Sequence, residues 1–108
     1  MVDLEPVRGS EADKRRPAVV VSNDSANTAA SRRRRGVVTV VPITSNIRRV
    51  LPFQVLLTAE ACALTIDSKA QAEQVRSVDV GRLGETVGRV PERLMADIND
   101  ALRLHLGL

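Results

Sequence analysis

Two runs of β-branched residues set the first limit on what this chain can fold into. Pro17-Ala-Val-Val-Val-Ser22 and Gly36-Val-Val-Thr-Val-Val41 are short, mostly apolar and bounded by turn-forming residues. Branching at Cβ disfavours a helix and suits a pleated strand. A continuous apolar run of this length predicts a buried strand. Pro17 fits a strand's first position, where a missing N–H is tolerated. Pro42 is expected to end the second run.

The remaining segments fit the same scheme. Val2 to Leu4 reads as the last piece of a strand, Phe53 to Leu57 as a third strand, and Lys69 to Val75 as another with a bulge. Thr86 to Val90 is expected to form a last short strand. Pro6 to Arg16, Asn23 to Arg35 and Thr44 to Arg49 are polar and read as loops, the second with room for a helical turn near Ala26 to Ala30. The end of the chain differs. Leu94, Ile98, Leu102 and His105 or Leu106 recur at helical spacing, while Glu92, Asp97, Asp100 and Arg103 fill the other face. Pro91 suits the first turn of that helix and Gly107 its end. Short strands followed by one amphipathic helix predict a mainly β, α+β fold: a small, strongly bent antiparallel sheet or barrel with a helix packed on it.

With 108 residues, the chain is expected to form one domain over 1–108. No apolar run approaches the roughly 20 residues of a membrane span. Met1 is followed by acidic Asp3 and Glu5 without an apolar stretch, so no signal peptide is expected. Cys62 is the only cysteine, which rules out an intrachain disulfide and fits a reducing, cytoplasmic compartment. Flanked by Ala61 and Ala63, it reads as a buried or half-buried filler.

The net charge is +3, and all basic residues except Lys14, Lys69 and the single histidine are arginine. Guanidinium groups suit phosphate binding, although a charge this small proves no nucleic-acid partner. Phe53 is the only aromatic among Phe, Tyr and Trp, which argues against RNA modules that stack bases on several rings. Phe53 itself reads as core. His105 is the only histidine, so a two-histidine ribonuclease mechanism is excluded and a structural role is expected. No Cys/His cluster offers a zinc site.

Three segments carry chemistry. In the first, Arg8-Gly9-Ser10-Glu11 precedes Lys14-Arg15-Arg16-Pro17 at a strand start. Fixed cations at a sheet rim suit charge developing on a phosphate; a solvated basic loop is the bland alternative. In the second, Pro42-Ile43-Thr44-Ser45-Asn46 sets three small polar side chains together at a strand end, suited to phosphate or base edges and equally to turn formation. The third is Asp67-Ser68 followed by Glu73-Gln74-Val75-Arg76-Ser77. On an extended segment Gln74 and Arg76 share one face and Glu73 the other. Gln74 and Glu73 there suit base edges, or a surface ion pair of little energetic weight. Arg32 to Arg35 is the densest charge run, suited to RNA or an acidic segment, or simply solvated.

Taken together and in order, these segments resemble the MazF/PemK toxin family: D-L-x-P-x-x-G-S-E and R-P-x-x-V-x-S-N-D, then V-x-P-I-T-S, then D-S and E-Q-x-R-[ST]. The resemblance covers nearly the whole chain. It implies an SH3-like barrel of the CcdB/MazF type, a homodimer, and metal-independent, cofactor-free cleavage of single-stranded RNA. It also implies a cognate acidic antitoxin of the MazE kind. The family's catalytic arginine corresponds to Arg16 and its catalytic threonine to Thr44. Its RNA contacts correspond to Ser10, Glu11, Ser45, Asn46, Ser68, Glu73 and Gln74, with Arg15 beside them as an adjacent cation. Family members usually carry a further strand segment before V-D-L. Met1 stands directly before Val2 here, so most of that first strand is expected to be absent. A weakened or inactive toxin that binds its antitoxin or another protein target is the alternative this departure keeps open.

Overall fold

This computed structural model describes residues 2–4, 16–23 and 36–108. The expected helical turn near Ala26 to Ala30, the run Arg32 to Arg35 and the whole loop before Arg16, residues 5–15, lie outside the described residues. Among the described residues seven strands form: β1 (Val2–Leu4), β2 (Arg16–Val20), β3 (Val37–Thr44), β4 (Gln54–Leu57), β5 (Ser68–Gln71), β6 (Arg76–Asp79) and β7 (Leu83–Thr86). Every pairing is antiparallel, in the order β4-β5-β3-β2-β1-β7, with β6 also paired to β3. Among the same residues two α-helices accompany them, α1 (Ala59–Cys62) and α2 (Glu92–Leu106). Among the described residues no helix is long and apolar enough to cross a membrane. The result is the expected mainly antiparallel sheet with a C-terminal helix.

Strand β3 organises the sheet. One edge pairs with β2. Its other edge pairs first with β6, over Val37 to Val40, and then with β5, at Ile43 and Thr44. Pro42 was expected to end the strand, but the strand runs two residues further. It sits where the second edge changes partner, and a missing N–H costs little at such an interruption. The single strand predicted over Lys69 to Val75 is corrected too. Ala72–Gln74 forms a 3₁₀ turn between β5 and β6. That corner lets two successive strands lie along one edge of β3, which bends the sheet.

Residues on both faces of the central strands are buried, which explains why their runs are continuous rather than alternating. Val19, Val41 and Ile43 join Leu57, Cys62, Leu94, Ile98 and Ala101 in one cluster under α2. Ala18, Val38 and Val40 face the other way and meet Val78, with Val80 and Leu83 at its margin. Fully burying a side chain such as Leu57 or Ile98 contributes about 1.5–3 kcal/mol.

Helix α2 buries Leu94, Ile98 and Ala101, a stripe at i, i+4 and i+7. Pro91 caps its start by accepting the Leu94 and Met95 N–H groups at 3.0 and 2.9 Å. Gly107, at φ 72°, closes its end by donating to the Arg103 carbonyl. The exposed His105 ring lies 6.1 Å from that of Phe53, tilted by 53°, so both single-copy rings contact each other beside the helix.

Two further differences from expectation have local causes. Helix α1 is too short to show periodicity, yet Thr58 caps it by accepting the Ala61 N–H at 3.2 Å. The strand expected over Thr86 to Val90 ends at Thr86. Beyond it the backbone presses on α1, where a Cβ on Gly88 would come 2.5 Å from the Cys62 carbonyl oxygen. Arg89 donates its N–H to that same oxygen at 2.9 Å, so this donor serves a helix end instead of a ladder.

Val2–Leu4, although only three residues long, is paired on both sides, with β2 and with β7.

Candidate active site

Antiparallel register brings the first two motif segments together. Ala18 lies opposite Pro42 in the β2–β3 pair, and two residues further out the same register sets Arg16 level with Thr44. Both residues line one open groove of about 560 Å³. Arg16 is exposed, and no carboxylate among the described residues pairs with its guanidinium. Thr44 is half-buried, and its Oγ1 accepts the Asn46 N–H at 3.2 Å. That bond occupies one lone pair and leaves the hydroxyl proton free to donate outward. Ser45, exposed, lines the groove beside it.

The third segment divides. Ser68 reaches the groove wall from β5. It is 4% exposed, and its hydroxyl donates to the Ile66 carbonyl at 3.0 Å, leaving only its oxygen lone pairs for a ligand. Glu73 and Gln74 stand on the 3₁₀ turn instead of an extended strand and do not line the groove. Glu73 Oε2 accepts from the Gln54 amide at 2.7 Å, while Gln54 Oε1 accepts the Leu51 N–H at 3.0 Å. The other carboxylate oxygen, Oε1 of Glu73, is buried without a hydrogen-bond partner. Gln74 is exposed. Asn46 is exposed and turns back, its Oδ1 accepting the Arg48 N–H at 3.4 Å. Ser10, Glu11 and Arg15 lie outside the described residues.

Some participants were not evident from the sequence. Thr65 and Gln71 line the groove alongside the expected residues. Lys69 is 9% exposed, stands opposite Thr44 in the β3–β5 register, and donates through Nζ to the Arg49 carbonyl. It therefore ties the loop after Thr44 to the sheet. Periodicity would have put Lys69 among the surface charges. Asp67 of the D-S pair serves the fold, because its Oδ1 accepts the Ala59 N–H at 2.7 Å, at the start of α1. Cys62 is fully buried, and burial pushes its thiol pKa above the ordinary value while Arg93 pulls weakly the other way. A thiol so held is a poor nucleophile.

A cation with no carboxylate partner among the described residues, lining the same open groove as two small hydroxyl-bearing side chains, is suited to a phosphate diester. The guanidinium supplies charge and paired donors, and the hydroxyl a single short donor. Neither His105 nor Cys62 lies in this groove.

Comparisons of sequence and fold with known proteins point to one family. Residues 1–106 match the profile of the PemK-like, MazF-like toxins of type II toxin-antitoxin systems. The chain is 59% identical over 107 residues to the endoribonuclease MazF9 of Mycobacterium tuberculosis, covering 99% of this chain and 91% of that protein. In fold it is similar to the Mycobacterium tuberculosis toxin MazF-mt6, with a TM-score of 0.79 at 20% identity over 99% of this chain and 96% of the other. A mycobacterial endoribonuclease solved in complex with its cognate antitoxin is also similar, with a TM-score of 0.76, 25% identity, and coverage of 99% and 90%.

Proposed function

Because the chain belongs to the PemK-like, MazF-like toxin family, we propose that it is the endoribonuclease of a type II toxin-antitoxin pair, a single-domain cytoplasmic protein active as a homodimer. It cuts single-stranded RNA at a short sequence without a metal ion. The observation that carries this reading is the meeting of Arg16 and Thr44 in one groove.

The nucleophile is the 2′-OH next to the scissile phosphate. Its oxygen attacks phosphorus and gives up its proton to solvent water, the bond from phosphorus to the 5′ oxygen breaks, and the leaving oxygen takes up a proton from water. The products are a 2′,3′-cyclic phosphate, which water opens to a 3′-phosphate, and a 5′-OH. An intramolecular attack gains from proximity, so the protein has to hold the chain in line and stabilise charge. Arg16 neutralises the negative charge that grows on the non-bridging oxygens. A guanidinium keeps its proton and so offers no neutral form to act as a base, which leaves Arg16 as a fixed cation. Thr44, with its oxygen engaged by the Asn46 N–H, donates its proton to one of the same oxygens. Ser10, Glu11, Arg15, Ser45, Asn46, Ser68, Glu73 and Gln74 are assigned to RNA contacts along the strand.

The partner that restrains the enzyme is a small antitoxin with an acidic tail, which folds onto the cationic groove and occupies the RNA path. This assignment draws support from the related mycobacterial enzyme solved with its antitoxin.

The test is digestion of mixed single-stranded RNA in EDTA by the chain and by Arg16→Ala, with end-group analysis. Discrete cuts bearing 5′-OH ends, lost in the variant, are expected. If the unaltered chain cuts nothing yet binds an acidic-tailed antitoxin, the protein is a binding toxin rather than a nuclease.

A further inference from the structure

The groove that holds Arg16 and Thr44 has a neighbour. A second cavity of about 240 Å³ shares Pro17, Thr65, Ile66 and Ser68 with it, while Leu64 and Val87 line the second cavity alone. Its lining is apolar apart from two hydroxyl-bearing side chains, and it contains no charged residue. A phosphate has no reason to enter it. It is smaller than the roughly 300–1,000 Å³ of a pocket for a drug-sized ligand, which suits one flat ring system.

Three features indicate a built cavity. Gly88 allows the 87–89 backbone to lie against the end of α1, and the Arg89–Cys62 backbone bond at 2.9 Å locks it there. Val87 and Leu64 are thereby fixed as walls. Ala63, at φ 54°, turns the chain so that Leu64 packs against the main core. Ser68 Oγ bonds the Ile66 carbonyl, fixing the backbone of the shared wall. On that wall Ile66 is a large apolar side chain left 58% exposed. The main cohesive clusters do not include it.

From this arrangement we infer that the second cavity receives the nucleobase adjoining the scissile phosphate. This rests on the ribonuclease reading and adds a specificity subsite to it. The base lies against Leu64, Ile66 and Val87, and apolar contact replaces the aromatic stacking that this chain cannot offer there. Phe53, its one candidate ring, is engaged with His105 instead. The edge of the base meets Ser68, whose proton is already committed, so that contact selects an edge carrying an N–H donor. Ile66 forms the ledge between base and phosphate.

The test is sequencing of the cut sites that the chain, Ile66→Ala and Val87→Phe produce in a randomised single-stranded RNA library. A parallel selection of bound, uncut molecules uses the same library carrying 2′-O-methyl groups. The base preference at one position beside the cut should weaken about tenfold in Ile66→Ala and in Val87→Phe, with the preferences elsewhere kept. That is within the range of losing one base-stacking contact. Ile66 is largely exposed, so its truncation leaves the fold intact, and Ile66→Val should restore most of the preference. Preferences unchanged at every position, or weakened equally at all, would overturn the subsite. A chain that cuts nothing but whose bound pool shows the one-position preference, lost in Ile66→Ala, would refute the ribonuclease reading and support the pocket. A bound pool without any preference would overturn the pocket itself.

Discussion

The two ends of β3 are built from the same kinds of residue and serve opposite purposes. Toward its start, Val38 and Val40 are buried in one cluster and Val41 in the other, and the strand is paired on both edges. Toward its end, Thr44 emerges into the groove level with Arg16, and the chain turns away through Ser45 and Asn46. The buried end holds the sheet together and offers no chemistry. At the open end Ile43 still packs into the core, while Thr44 beside it lines the groove with Arg16, the groups suited to a phosphate. A rigid strand thus delivers a hydroxyl to a fixed place, which a free loop does not do.

Mutation at the open end should produce the largest effect. Arg16→Ala is expected to lower kcat/KM by about 10²–10³, the loss typical for removing one preorganised charge-stabilising group. Its melting temperature should be unchanged, as Arg16 is exposed. Coupled losses of folding and activity would erase the distinction between the ends. At the buried end the pattern reverses. Val40→Ala removes two methyl groups from a fully buried site, costing about 2 kcal/mol in denaturant titration. Activity per folded molecule should be retained.

Glu73 stands between these cases, since its motif suggests RNA while its geometry ties it to Gln54. Glu73→Ala strands the Gln54 amide and should destabilise by about 1–3 kcal/mol. Loss of RNA affinity at unchanged stability would instead return Glu73 wholly to the RNA path. The smallest effect concerns Cys62. Burial raises its folded pKa above that of an ordinary thiol, so its contribution to stability is complete below the unfolded-state pKa, about 8.5. It is then lost as pH rises toward the folded value. Alkylation of the native thiol at neutral pH should be slow, and Cys62→Ala should flatten the alkaline fall in stability. Rapid native labelling would show that the thiol is not enclosed.

These contrasts also explain what the sequence could reveal. The continuous runs around Val19 and Val40 carried their burial in their composition, and α2 showed its inner stripe in Leu94 and Ile98. Arg16 and Thr44 were singled out by the family resemblance rather than by their own surroundings, and each stands at a strand terminus near a proline. Long-range features were hidden. Nothing local in Lys69 to Val75 announces a 3₁₀ corner, because the bend serves two different stretches of β3. Lys69 was illegible as a buried tether, since its partner is a carbonyl twenty residues away. The apolar cavity beside the groove joins residues from three separate segments around Pro17, Ile66 and Val87.

The pairing of Arg16 with Thr44 has meaning only if the 2′-OH is the nucleophile. The decisive measurement is single-turnover cleavage, in EDTA, of an oligoribonucleotide carrying one 2′-deoxy sugar at the scissile position, beside its all-ribose twin. The all-ribose strand should be cut to a 2′,3′-cyclic phosphate while the substituted strand stays intact and still binds. Cleavage of both at the same rate would contradict 2′-OH attack and the roles given to both residues.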